Sequence, residues 1–111
     1  MKNKFNAKKC EYKGIKFDSL KERDYYIQLE LQKKATDHKD RVVDIELQPV
    51  FDVIVNNKKI CKYKADFVVI YADLRIEYID VKGLKKGSAY QLFKLKKKLV
   101  EALYNIEIIE K

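Results

Sequence analysis

From Ile45 to Lys82 apolar residues recur in three runs, each closed by turn-forming residues. "IELQPVFDVIV", "ICKYKADFVVIY" and "IEYIDVK" fit strands better than a helix. "NNKK" and "ADLR" between them are short enough for antiparallel hairpins. Pro49 has no amide proton to give to a ladder, so it marks an edge or a bulge. A segment of helical period stands on each side. The first predicts a helix from about Ser19 to Ala35, with Ser19 and Glu22 at capping-box spacing. Leu20, Ile27 and Leu31 form one of its apolar stripes. Tyr26 and Leu29, four and seven residues beyond Glu22, form another. "SAYQLFKLKKKLVEALY" predicts a second helix capped by Ser88, and "IEIIE" a short last strand. The order αβββαβ predicts an α/β fold with a central mixed sheet flanked by helices. With 111 residues the chain suits a single domain, 1–111, in which 1–16 is a basic N-terminal arm. That arm reads either as a solvated tail or as a DNA-contacting segment.

Charge narrows the function. The chain has 25 Lys and Arg against 17 Asp and Glu, a net charge of +8. Such an excess points to a polyanion, most often nucleic acid. The only arginines are Arg23, Arg41 and Arg75. Lysine gives phosphate a mobile point charge, whereas arginine reads base edges with a planar fork, so backbone binding is expected over sequence reading. Cys10, Cys61 and His38 are too few and too scattered for a Cys/His metal centre. No apolar run approaches a membrane span or a signal sequence, so we expect a cytoplasmic protein that makes no contact with a membrane.

The chemistry concentrates at "YIDVKG", residues 78–83. Strand side chains alternate faces, so Asp80 and Lys82 point the same way. A three-residue turn at 72–74 pairs Tyr71 with Arg75, and the same register places Asp66 opposite Asp80. Two carboxylates about 4 Å apart repel by about 4 kcal/mol at an effective dielectric of about 20. Lysine offsets part of this. A hard divalent ion such as Mg²⁺, which takes carboxylate, phosphate and water oxygens, offsets more. The alternative is a salt-bridged cluster at a strand end, and the charges alone leave both open.

Asp66, thirteen intervening residues and then Asp80-Val81-Lys82 resemble the PD-(D/E)XK nuclease signature. The αβββαβ order is similar to that superfamily's restriction-endonuclease-like core. "FDSLKE" resembles the segment carrying its helical glutamate, which falls on Glu22. From Phe17 to about Ile109 the chain resembles small phage-associated members, Holliday junction resolvase-like endonucleases among them. Ala65 stands where the name-giving proline would be, at a position that varies widely.

The resemblance implies a Mg²⁺ site, in which Mn²⁺ substitutes, formed by Asp66, Asp80, the carbonyl of Val81, and Glu22. It implies catalytic roles for Glu22, Asp66, Asp80 and Lys82. Lys96 joins them, because it falls within the stripe Leu92, Leu99 and Leu103 and some members bring a lysine or glutamine from this helix into the site. Otherwise Lys96 is a snorkelling residue, and Glu22 is only the capping partner of Ser19. Lys85 and Lys86 in the loop "GLKKGS", with Lys94, Lys97 and Lys98 on the helix, are expected to bind DNA.

The leading expectation is a Mg²⁺-dependent endonuclease acting on branched DNA, most simply a Holliday junction resolvase. Two symmetric cuts imply a homodimer. The setting implied is the cytoplasm of a bacterial or phage-infected cell. Within the same class stands a restriction-type or recombination-associated nicking nuclease. Outside it stand a non-catalytic DNA-binding protein and a basic scaffold for acidic proteins.

Overall fold

The computed structural model describes residues 10–83 and 85–111. Residues 1–9 of the expected basic arm, and Leu84 of the loop, lie outside the described residues. Residues 10–16 of that arm, together with Phe17, form a hairpin that turns at Lys13–Gly14. Strands β1 (Cys10–Tyr12) and β2 (Ile15–Phe17) form a tight hairpin, Tyr12 facing Ile15. Its turn residues, Lys13 and Gly14, both have positive φ, the hand that matches strand twist.

Helix α1 (Leu20–Gln32) starts at Ser19, whose extended backbone lets its hydroxyl accept from the Glu22 N–H at 3.0 Å. The face that turns inward carries Glu22 and Leu29, both buried, with Tyr26 beside them. Leu20 and Leu31, from the other stripe, stay exposed.

Five strands, not three, follow α1: β3 (Val42–Leu47), β4 (Val50–Val55), β5 (Lys58–Lys64), β6 (Phe67–Tyr71) and β7 (Ile76–Asp80). The two longest runs each break at a corner. Leu47 pairs with Phe67 before the corner and Val50 with Lys64 after it, the same register on both sides. Bonds from Gln48 N to the Asp66 carbonyl (2.9 Å) and Ala65 N to the Pro49 carbonyl (3.1 Å) carry the ladder across. The result is one long hairpin bent at Gln48–Pro49 and Ala65–Asp66. Pro49 sits where no ladder donor is needed, and Gln48 takes φ +50°. At the tip, Asn56 and Asn57 both have positive φ, giving the two-residue turn that "NNKK" predicts.

Helix α2 (Ser88–Tyr104) and β8 (Ile108–Glu110) complete the chain. The central sheet runs β3-β6-β7-β8, with β8 parallel to β7 and the other pairs antiparallel. Alternation along its strands separates two cores. Val42, Phe67, Val69, Tyr71 and Ile79 pack with Leu29 of α1. Tyr78 and Ile108 pack with Phe93 and Val100 of α2 and with Val53 and Tyr63 of the bent arm. The fold is therefore mixed α/β, with a mixed sheet and two helices, as expected at that level.

Helix α2 departs from expectation twice. Gly87, not Ser88, is its N-cap, and no side chain caps it. Its buried face is Phe93 and Val100, one position away from the expected stripe. Leu92, Leu95 and Leu103 remain 53%, 57% and 48% exposed. Two stripes of helical period compete here, and the aromatic one fits over Tyr63 and Ile108. No helix among the described residues is long and apolar enough to cross a membrane.

Candidate functional site

The short turn after β6 brings Tyr71 N to the Arg75 carbonyl at 2.9 Å and fixes the pairing of Phe67 with Ile79. One step further along this register, Asp66 faces Asp80. Both stand at the sheet end where the long hairpin bends. Asp66 accepts from the Val81 N–H at 2.6 Å. Glu22 comes in from α1, only 4% exposed. Its Oε1 accepts from the Asp18 N–H at 2.9 Å, and its carboxyl lies in hydrogen-bonding range of Asp66. Helix capping and the carboxyl cluster are thus compatible in one rotamer, because the backbone donor is Asp18 and takes a single oxygen.

Burial pushes the Asp66 carboxyl up to about 9, helped by the Glu22 and Asp80 carboxyls and opposed by the Val81 N–H. A proton on Asp66 relieves its repulsion with the neighbouring Glu22 carboxyl, which is one cause of the rise. Asp80 is 4% exposed and compensated differently. Lys82 Nζ lies 3.0 Å from Oδ1, and the Tyr63 hydroxyl donates to Oδ2. The Lys82 ammonium also sits 3.8 Å over the Phe93 ring. Burial, and then the bond to Asp80, push the Tyr63 phenol well above its ordinary range, so it stays a donor. A cavity of about 110 Å³ lined by Phe17, Glu22, Gln48 and Asp66 opens beside the carboxyls. It adjoins a wider groove of about 660 Å³ that shares Lys16, Phe17 and Gln48 and adds Lys64.

Glu22, Asp66, Asp80, Val81 and Lys82 therefore come together. Lys96 does not join them through any hydrogen bond or ion pair. Its ammonium reaches the Lys62 carbonyl at 3.4 Å. Lys85, Lys86, Lys94 and Lys98 are exposed. Lys97 is not on the solvated face. It lies between Phe93 and Val100 and pairs with Glu110 at 3.2 Å, where Tyr90 also donates at 2.8 Å. Glu110 faces Asp80 across the parallel pair. Burial alone would raise the Glu110 carboxyl, but the bonds from Tyr90 and Lys97 outweigh it and hold it low. This contribution is present above the ordinary carboxylate pKa and fades as pH falls through the folded value. We expect Lys97→Met to cost about 1 kcal/mol at neutral pH in chemical denaturation, and Lys96→Met less than about 0.5 kcal/mol. Equal costs would place the two lysines in equivalent settings.

Three contributors escaped sequence reading. Tyr63 reaches Asp80 only because the hairpin bends, and Glu110 depends on a parallel register that no turn dictates. Lys21 bonds the carbonyls of Lys82 (2.5 Å) and Lys111 (2.9 Å) from an exposed helix position.

A family model described as "Protein of unknown function (DUF1064)" matches residues 2–108. The chain belongs to that family. No curated protein and no solved structure matches it. The match runs through both helices and every carboxylate of the cluster except Glu110, so the geometry belongs to the DUF1064 region itself.

Among the described residues, no group of three or more His, Cys, Asp or Glu side chains stands arranged to hold a metal ion. Asp80 is committed to Tyr63 and Lys82, and Asp66 to Val81 and Glu22. The donors are nonetheless all hard oxygens, and three of the carboxyls, Glu22, Asp66 and Asp80, gather at one sheet end. Hard oxygens of this kind are the ligands that Mg²⁺ and Mn²⁺ take.

Proposed function

We propose that this chain is a metal-dependent DNA endonuclease with a restriction-endonuclease-like core. The observation that carries the reading is the meeting of Asp66, Asp80 and Lys82 at one sheet end with Glu22 from α1. The strand order β3, β6, β7, then β8 parallel after α2, supports this reading once the β4–β5 arm is set aside. Asp66 and Asp80, with the Val81 carbonyl and Glu22, would hold Mg²⁺. Bound there, the ion supplies Lewis-acid stabilisation of the phosphate and a water of lowered pKa. Lys82 has one donor on Asp80 and others to hold the attacking water or a phosphoryl oxygen as negative charge grows. Phe93 below it excludes water and restricts its motion.

The substrate we propose is branched DNA, read by shape. Two of the three arginines are already engaged: Arg23 with Asp24, and Arg75 with Tyr71 and the Lys39 carbonyl. Exposed Lys85, Lys86, Lys94 and Lys98 remain for phosphates, which position a duplex without reading it. A four-way junction needs two symmetric cuts and hence two copies of the chain.

A second reading rests on a specific observation. No buried side-chain nitrogen or oxygen among the described residues lacks a partner, so the cluster is self-sufficient as a structural network. A non-catalytic DNA-binding protein would look like this. Incubating the protein with Mg²⁺ or Mn²⁺ and labelled duplex, flap, single-stranded and four-way DNA separates the two. The nuclease reading expects paired nicks near the crossover of the four-way DNA. Tight binding with no product from any substrate favours the second.

A further inference from the structure

Tyr63 belongs to β5, a strand outside the central sheet, yet its hydroxyl ends on Asp80 of β7. Asp66 lies three positions after Tyr63, which in a straight strand puts them on opposite faces. The corner at Ala65–Asp66 cancels that, so the arm delivers a phenol to the carboxylate from behind. Tyr63 is only 5% exposed and wedged among rings: Phe51 at 6.3 Å and Phe93 at 6.1 Å. Phe93 also carries the Lys82 ammonium. Both partners of Asp80 therefore rest on one aromatic group, one on each oxygen.

Geometry distinguishes their roles. An aspartate's terminal torsion is soft and broad. An ammonium is a point charge that tolerates many carboxylate orientations. A phenol fixed by packing is directional, with only two side-chain torsions to freeze. We infer that Tyr63 is the positioning residue for Asp80: it fixes the plane of the carboxylate, so that Asp80 presents a set lone pair to the ion. This rests on the nuclease reading above and extends it to the β4–β5 arm. Hydrogen bonds to a metal-ligating carboxylate typically change metal affinity 10- to 100-fold when removed.

Tyr63→Phe deletes the hydroxyl and keeps the ring. Mn²⁺ titration, by calorimetry or paramagnetic resonance, should show about tenfold weaker binding than the parent. At saturating DNA, kcat should fall about tenfold and recover in part at high Mn²⁺, with KM for DNA unchanged. Phe51→Leu is the control, since it loosens the same ring cluster without touching Asp80. It should lower the thermal midpoint yet bind Mn²⁺ as the parent does. Parent-like Mn²⁺ affinity in Tyr63→Phe overturns the assignment, and so does an equal loss in Phe51→Leu, which would make Tyr63 a packing residue. A parent that neither takes up Mn²⁺ nor cuts DNA removes the nuclease reading itself, and the assignment with it.

Discussion

Asp66→Asn is expected to make the metal-free protein more stable at pH 7, by about 2 kcal/mol, while abolishing cleavage. The opposite signs have one origin. Burial and the neighbouring Glu22 and Asp80 push the Asp66 carboxyl up to about 9, far above its value in an unfolded chain. Between about pH 4 and pH 9 the folded state thus binds a proton that the unfolded state does not. The stability linked to Asp66 is complete below the unfolded value and is lost as pH rises toward 9. Asparagine reproduces the protonated carboxyl: its amide donates to Glu22 and its oxygen accepts from the Val81 N–H. In chelator, urea denaturation across pH 5 to 9 should show the parent losing stability with rising pH and the variant holding level. A parent curve that rises through this window would contradict the buried, protonated Asp66. Asparagine cannot ionise to become an anionic ligand for the ion, so turnover should disappear, while DNA affinity without metal stays level.

Lys82→Met is expected to fail in both respects. Methionine keeps the apolar stem over Phe93, so packing is conserved. Asp80, almost fully buried, is left with the Tyr63 hydroxyl as its only side-chain partner. Removing one member of a buried ion pair leaves the other uncompensated, at a cost of about 3 kcal/mol. For a domain of this size that lowers the thermal midpoint by about 12 °C or more. Cleavage should fall about a thousandfold, the scale seen when a donor to developing charge is removed. Adding Asp80→Asn to Lys82→Met removes the orphaned charge and should restore most of the stability but none of the turnover. If the double variant is less stable than Lys82→Met, the cost comes from packing and not from charge.

What could be read from the sequence follows the range of each constraint. The facing of Asp66 and Asp80 was legible because "ADLR" is too short to allow much else, and Tyr71–Arg75 sets the register. The burial of Glu22 was legible as the head of the Tyr26–Leu29 stripe. The inward face of α2 was not, since Leu92-Lys96-Leu99-Leu103 and Phe93-Lys97-Val100-Tyr104 are the same pattern one residue apart. Only the space over Tyr63 and Ile108 chooses between them. That shift exchanges Lys96 for Lys97 as the lysine held within the buried face. Pro49 marked an edge or a bulge, but not the corner found there, nor its consequence, that an arm outside the sheet would send Tyr63 back to Asp80. Glu110 lies in a strand whose existence was legible and whose parallel pairing to β7 was not.

The most direct test of the central claim is single-turnover cleavage of an end-labelled four-way junction by the parent chain and by Asp80→Asn, each with Mg²⁺ and with chelator. The account predicts symmetric nicks from the parent in Mg²⁺ only, and none from Asp80→Asn although it still binds the junction. No product from the parent in Mg²⁺ or Mn²⁺ at saturating protein, or cleavage by Asp80→Asn at the parent's rate, would contradict it.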